Sequence, residues 1–311
     1  MTVVEQAVPR AETRRATPRR PKLGDTWWRH LVGILAVAFA LFPVAYIVSA
    51  SFNADNSLSG SSLIPRKVTL SNYTELFTNK KENARKTPTA SSHYARWLAN
   101  TVIVSAATSF FTVLLGAIAA YAFSRFRFRG RRMGMIALLL IQMFPALLAV
   151  VAIYLMLLHI GDVFSFIGLN TLTGLILIYL GGVMGLNTWL LKGFFDTIPS
   201  ALDESARIDG ATPAQIFWGV VLPLAAPVLA VIALLSFVGV INEFVIASVV
   251  LQTSEKLTLP VGLFGYIGEN YSEKWGPFAA GVLIAAVPVV ALFMFLQRFI
   301  VSGLTQGSVK G

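Results

Sequence analysis

Residues 198–223 read IPSALDESARIDGATPAQIFWGVVLP, a polar island between two long apolar runs. Its helix punctuation is dense. Ser200 is placed to cap a helix with Asp203 three residues on, the reciprocal capping-box spacing. Gly210 suits the left-handed turn that ends such a helix. Thr212 is placed to cap a second helix, with Pro213 at its first position and Gln215 completing a second capping box. Helices of about ten residues are marginal alone in water. They must therefore be docked, and their mixture of Leu202, Glu204, Ala206, Asp209, Ile216 and Phe217 suits a partner's groove. The segment is predicted to be a docking element on the face of a membrane protein.

The rest of the chain supplies the membrane. Of its 311 residues 56% are apolar and 13% charged, with a mean hydropathy of +0.70, far from a soluble globular mixture. Six apolar runs are long enough to cross a hydrocarbon core of roughly 30 Å: 30–51, 97–124, 133–158, 168–191, 222–251 and 277–301. The expected fold class is all-α, a polytopic bundle of six transmembrane helices. Pro43, Pro145, Pro227 and Pro288 fall within these runs, where membrane helices tolerate them. Val48-Ser49-Ala50 offers a signal-peptidase site, but the long run before it and the five after it favour an uncleaved first span.

Orientation follows from Lys and Arg. Five lie in the connection 125–132 and none in 159–167, which places the former, both termini and the 192–221 segment in the cytoplasm. The long outer loop 52–96 carries seven, but loops of that length constrain topology less. The domain reading is a disordered, Arg-rich cytoplasmic N-terminus (1–29), a six-span body (30–301, core about 97–301) with the cytoplasmic loop 192–221, and a cytoplasmic tail (302–311).

The formal charge of +10 and the run Arg125–Arg132, RFRFRGRR, invite a nucleic-acid reading. The run's place between two apolar spans makes topogenesis the better account, so no nucleic-acid partner is expected and membrane lipid is. The chain has no cysteine, and His30, His93 and His159 have no metal-ligand spacing. No metal is expected, no phosphate-cradling GxxxxGK[ST] loop occurs, and no nucleophile elbow appears. The chain reads as a non-enzyme.

Two further sites stand out. Glu243 is the one acid well inside a span, where a charge costs at least about 2.5–3.5 kcal/mol. With Asn242 it is either a pathway position or a structural hydrogen bond. A proton-coupled secondary transporter centred on Glu243 is the rival reading from another class. The loop 266–275, YIGENYSEKW, carries Tyr271 and Trp275, suited either to stacking on a sugar ring or to an interfacial aromatic belt, to which Trp27, Trp28 and Trp97 are also assigned.

Glu204-Ser205-Ala206, Gly210, Val220, Leu222 and Pro223 resemble the EAA loop of permease subunits in bacterial ABC importers: EAA, three residues, Gly, nine residues, Ile, one residue, Leu-Pro. The extended form is present at Asp209-Gly210-Ala211. Ser205 stands where the second Ala is usual, and Val220 where Ile is usual. The resemblance covers Trp28 to Gly311 and is closest to the second permease subunit of the maltose/maltodextrin importer type, most tellingly in WGPFAAGVLIAAVPVVALFMFLQRFIVSGLTQGSVKG (275–311). It implies the type I importer permease fold (MetI-like) in the bacterial cytoplasmic membrane. It also implies a homologous second permease, an ATPase dimer holding ATP and Mg, an extracytoplasmic sugar-binding protein and a maltodextrin-type oligosaccharide, with trehalose or another oligosaccharide as alternative cargo. Carried over residue by residue, it places Glu204, Ser205, Ala206, Asp209, Gly210, Ala211, Leu222 and Pro223 at the ATPase cleft. It places the tail Gln306, Gly307, Ser308, Val309, Lys310 and Gly311 at the ATPase interface. The loop Glu269, Asn270, Tyr271, Ser272 and Glu273 falls at the binding protein. The N-terminal extension and the basic insertion 80–86 depart from the family core.

Overall fold

The computed structural model describes residues 23–54, 65, 67–78, 93–268 and 274–308. The N-terminal 22 residues, the basic insertion 80–86, the loop Glu269–Glu273 and the last three residues, Val309–Gly311, lie outside them. Besides a 3-10 turn (Ser165–Ile167), a π turn (Phe217–Val221) and an isolated bridge, Asn53 to Val68, the described residues form thirteen α-helices and no strand. In chain order they are α1 (Leu23–Ser51), α2 (Ser71–Phe77), α3 (Tyr94–Arg125), α4 (Arg131–Gln142), α5 (Ala146–Val163), α6 (Leu172–Phe195) and α7 (Ser200–Ile208). Then follow α8 (Pro213–Ile216), α9 (Leu222–Leu224), α10 (Ala226–Ile241), α11 (Val245–Val250), α12 (Leu259–Gly268) and α13 (Trp275–Ser308). Residues up to Tyr46 form one compact unit and Ile47–Gly311 a second.

Among the described residues four helices are long and apolar enough to cross a membrane: Trp27–Ser51, Tyr94–Arg125, Leu172–Phe195 and Trp275–Ile300. Two bent pairs bring the number to six. The third apolar run is thus not one helix, as its length suggested. It bends by 101° between α4 and α5, because Pro145, extended at φ −63° and ψ 118°, has no N–H to give and drives the residue before it out of helix. The fifth run is also interrupted. Its entry turns by 77° between Pro213–Leu224 and α10, and the helix stops at Ile241, leaving Asn242–Phe244 irregular before α11. The last span runs on to Ser308, so Gln306, Gly307 and Ser308 belong to its final turns instead of a free tail.

Within the second unit α3 is the central helix, packed against α6 and α10. Its inward face is built from Thr101, Ser105, Thr108, Ser109, Thr112, Gly116, Ala117 and Ala120, small residues that let membrane helices approach closely. Hydrogen bonds join the layers: Ser109 Oγ donates to Ala233 O at 2.7 Å, and Asn187 Nδ2 to Ser236 Oγ at 3.1 Å. The apolar core falls into three clusters along the bundle. One lies under α7 and α8, one around Leu175 and Val250, and one at the far end around Leu76, Tyr94 and Leu263. Trp97 belongs to this last cluster, not to an interfacial belt. It is 2% exposed, its Nε1 donates to Ser254 O at 2.6 Å, and its indole fills the space where Gly262 has no Cβ. The bundle's outer surface remains rich in exposed Leu, Ile, Val and Phe, as a lipid-facing surface must be.

Candidate coupling surface

The 198–225 segment caps the end of the bundle where α3 stops and α6 ends. After α7 the chain closes a complete Schellman turn: Gly210 N–H donates to Arg207 O at 3.0 Å and Ala211 N–H to Ala206 O at 2.9 Å. Gly210 takes φ +83°, the left-handed conformation the turn requires. The second capping box forms as read: Gln215 N–H donates to Thr212 Oγ1, and Thr212 N–H to Gln215 Oε1, with Pro213 in the first turn. A single π turn, Phe217–Val221, then leads into α9.

The first capping box does not form. Pro199 occupies the cap without a side-chain bond, and Asp203 is 3% exposed beneath α7. There its Oδ2 lies 2.8 Å from Arg125 Nε, at the last residue of α3. A buried arginine needs a counter-charge more than a helix end needs a cap, since an unpaired buried charge costs several kcal/mol and a missing cap about 1 kcal/mol. The same guanidinium donates to Ile198 O at 2.9 Å. One turn back, Tyr121 Oη donates to Pro213 O at 3.3 Å, and its ring meets Phe217 at 5.0 Å between centroids. The last turn of α3 therefore holds both short helices, α7 through charge and α8 through a hydroxyl and a ring. Underneath, Leu191, Phe195, Ile198, Ile216, Phe217 and Val221 form the apolar seat.

Beside the seat, Asp196 accepts from Ser124 Oγ at 2.7 Å and pairs with Lys192. Burial pushes its carboxyl up, but the hydrogen bonds from Lys192 and Ser124 outweigh this and hold it below its ordinary value.

The motif residues divide into two sets. Ala206, Ala211 and Leu222 pack inward against the apolar seat. Glu204, Ser205, Asp209, Gly210 and Pro223 face outward. Between the outward polar groups stands Ile208, 87% exposed, one turn after Glu204 on the same face. Trp218 is 53% exposed. An exposed carboxylate one turn from a protruding isoleucine, with an exposed tryptophan in the same segment, can anchor a protein partner. Ile208 was missed in the sequence, although its signal, one large apolar side chain in a polar helix face, was present. Arg125 and Tyr121 carried no comparable local signal.

Glu243 lies elsewhere, in the irregular stretch after α10. Its carboxylate accepts from Ile246 N–H at 2.8 Å and Ala247 N–H at 3.0 Å, and from the Tyr179 hydroxyl of α6. It thus closes the first turn of α11, which is the structural hydrogen-bond alternative. Asn242 is exposed and bonded to Val238 O. Of the loop 269–273 only the flanks are described: Lys274 N–H donates to Tyr266 O at 3.1 Å, and its ammonium pairs with Glu75 of α2. Among the described residues no group of three His, Asp or Glu could hold a metal ion.

Residues 112–306 match the family described as binding-protein-dependent transport system inner membrane component. The chain is 42% identical over 287 residues to the maltose/maltodextrin transport system permease protein MalG of Vibrio parahaemolyticus, covering 92% of this chain and 96% of that one. It is 40% identical over 281 residues to the galactooligosaccharides transport system permease protein GanQ of Bacillus subtilis, covering 90% and 94%. In fold it is similar to a chain of a bacterial ABC transporter that imports the acidic polysaccharide alginate, with a TM-score of 0.71 at 24% identity, over 91% of this chain and 99% of that one. A chain of the MetNI methionine ABC transporter gives a TM-score of 0.53 at 17% identity, over 68% and 96%.

Proposed function

Because this chain belongs to the family of binding-protein-dependent transport system inner membrane components, a multi-pass permease subunit of an ABC importer, we propose that it moves maltodextrin-type oligosaccharides and couples their passage to ATP hydrolysis in a partner. The similarity to a maltose/maltodextrin permease and, at nearly the same identity, to a galactooligosaccharide permease supports an oligosaccharide cargo. Both termini and the 192–221 segment face the cytoplasm. A homologous permease completes the pathway, two ATPase subunits hold ATP and Mg, and a sugar-binding protein delivers the cargo from outside.

The observation that carries this reading is the 198–225 surface. Glu204, Ser205, Ile208 and Asp209 are presented to a partner, while Asp203, Ala206 and Ile216 tie the same helices to α3 and α6. A push on α7 therefore reaches the spans without being absorbed, and packed bundles then rock about a central site. Gln306–Gly311 are assigned to the ATPase interface and Glu269–Glu273 to the binding protein. Asn242 and Glu243 mark where this half of the pathway leaves regular helix. Among the described residues the partners of Glu243 are a hydroxyl and two amides, which form no proton relay.

The test uses the complex reconstituted with its partners. Glu204→Lys should insert and assemble normally in the membrane yet abolish sugar-stimulated ATP hydrolysis, since a reversed charge in a docked contact is repelled or left unpaired. Wild-type activity in this variant would overturn the coupling role. A panel of maltose, maltodextrins, trehalose and galactooligosaccharides on the wild type assigns the cargo.

A further inference from the structure

The connection between α3 and α4 and the first turn of α4 hold four arginines that tie down neither α7 nor α8: Arg127 and Arg129 in the connection, Arg131 and Arg132 in the helix. Beside it α4 and α6 touch and then part. They touch at Gly185, where a Cβ would stand 2.9 Å from both Leu138 O and Gln142 Nε2. Toward the start of α4 they diverge, and between them opens a cleft of about 760 Å³. Arg131, Arg132 and Lys192 line it, together with Phe128, Met133 and Trp189.

The lining contains no acid. Lys192 pairs with Asp196 at the rim and the charge of Arg131 also acts on that carboxylate, so one acid faces three cations, and Arg132 makes no ion pair among the described residues. Three cations in one concavity attract an anion, and arginine forks match the oxygens of a phosphate. The other walls are aromatic or thioether, and they continue into exposed apolar side chains: Ile136 and Leu140 on α4, Leu186 and Leu190 on α6. A free phosphate would satisfy the cations and leave those walls wet. A ligand with one anionic head and long apolar chains matches both. The position agrees, since Arg131 and Lys192 stand at the ends of membrane-crossing segments, and Trp beside them is the ordinary furniture of the headgroup level.

We propose that the cleft between α4 and α6 binds an anionic phospholipid, its phosphate held by Arg131, Arg132 and Lys192 and its acyl chains laid along the exposed apolar faces of the two helices. Basic pockets between membrane helices are a recognised kind of anionic headgroup site. The site adjoins the surface to which the proposed function assigns coupling, because Lys192 also holds Asp196 beside the seat of α7. Lipid composition should therefore affect the coupling end directly.

The test takes the assembled importer, delipidated in a neutral detergent, and adds phosphatidylglycerol, phosphatidylcholine or inorganic phosphate. Phosphatidylglycerol should raise the melting temperature and stay bound in native mass spectra, and the other two should not. A photoactivatable phosphatidylglycerol should label 128–135 and 189–193. Arg131→Gln with Arg132→Gln should lose one bound lipid and weaken binding about 25-fold, at roughly fivefold per arginine. Arg127 and Arg129 remain to hold topology in that variant. Should it still assemble poorly, Lys192→Gln and Trp189→Leu give separate partial losses of the same label. Equal stabilisation by phosphatidylcholine, or an unchanged lipid count in the double variant, would overturn the site. Stabilisation by inorganic phosphate alone would replace the lipid with a free anion. Crosslinking of Met133→Cys to another subunit, without lipid labelling, would give the cleft to a protein helix instead.

Discussion

The segment around Asp203 and the break around Glu243 each hold a carboxylate against the protein, buried in the first case and half-buried in the second, by opposite means. Asp203 is 3% exposed and faces a full positive charge, with Arg125 Nε 2.8 Å from its Oδ2. Glu243 makes no ion pair among the described residues, and its carboxylate accepts from two backbone amides and the Tyr179 hydroxyl. The first arrangement is strong only while both partners stay, and it ties one helix to another. The second is distributed over three neutral donors, two of them in the helix the acid itself begins. A segment that transmits force gains from the first kind of contact, and a bend in a span gains from the second.

The largest expected effect comes from breaking the charged pair. Arg125→Ala leaves Asp203 as an uncompensated buried charge, at a cost of about 3–5 kcal/mol. Trypsin should then cut after Arg207 well below the melting temperature of the spans. Arg125→Met combined with Asp203→Leu should recover most of that stability, since apolar replacement of a whole buried pair is often neutral. If the single variant resists trypsin as the wild type does, the contrast between the two carboxylates collapses.

Glu243 should prove more forgiving. Glu243→Gln keeps an acceptor oxygen and should cost about 1 kcal/mol. Glu243→Leu strands three donors and should cost about 2–4 kcal/mol. Reconstituted Glu243→Gln should still take up sugar when the proton gradient is dissipated at constant ATP. Loss of uptake in Glu243→Gln, with an uncoupler also stopping the wild type at full ATP, would restore the proton-coupled reading.

A third variant separates backbone from side-chain effects in the coupling segment. No atom lies within 4 Å of a Cβ built on Gly210, so only its φ of +83° resists substitution. Gly210→Val should cost about 1–2 kcal/mol or slightly more, and Gly210→Asn much less, since Asn tolerates the left-handed region. Sugar-stimulated ATPase activity should fall in the same order. Equal loss in both would mean the outward face, not the turn, is sensitive at this position.

What was legible in the chain was local. The Thr212–Gln215 box and the Gly210 turn involve residues within a few positions of each other, and both formed as their spacing suggested. The apolar runs gave the number of crossings, which survives once each bent pair is taken as one. Asp203 was misjudged because its spacing from Ser200 advertised a cap, while its real partner sits in a distant helix that only folding brings near. Arg125 was misjudged for the same reason, read with its neighbours as a topology signal and then withdrawn into the interior. Pro145 was visible, but a proline in a membrane span can kink or break it, and hydropathy does not distinguish the two. Glu243 stood out as an acid in an apolar run. Its role turned on Tyr179, which no pattern around Glu243 announces.

The smallest effect concerns a third carboxylate, intermediate between the other two. Asp196 has a side chain 40% exposed and pairs with Lys192. Its carboxyl is held below the ordinary value of 3.8, so the unfolded chain binds that proton more readily than the folded one. The contribution is therefore fully present above about pH 3.8 and is lost as the pH falls through the depressed folded value. Wild type and Asp196→Asn should differ slightly in melting temperature at pH 7, and the gap should close on acidification below pH 4. Because the pair is partly exposed, added salt should shrink the gap as well. Protonation also frees Lys192 for the neighbouring cleft, so phosphatidylglycerol should bind Asp196→Asn at least as tightly as wild type. Weaker binding in that variant would mean that Asp196 holds Lys192 in the orientation the phosphate needs, and that the third carboxylate works as Asp203 does, by positioning a cation.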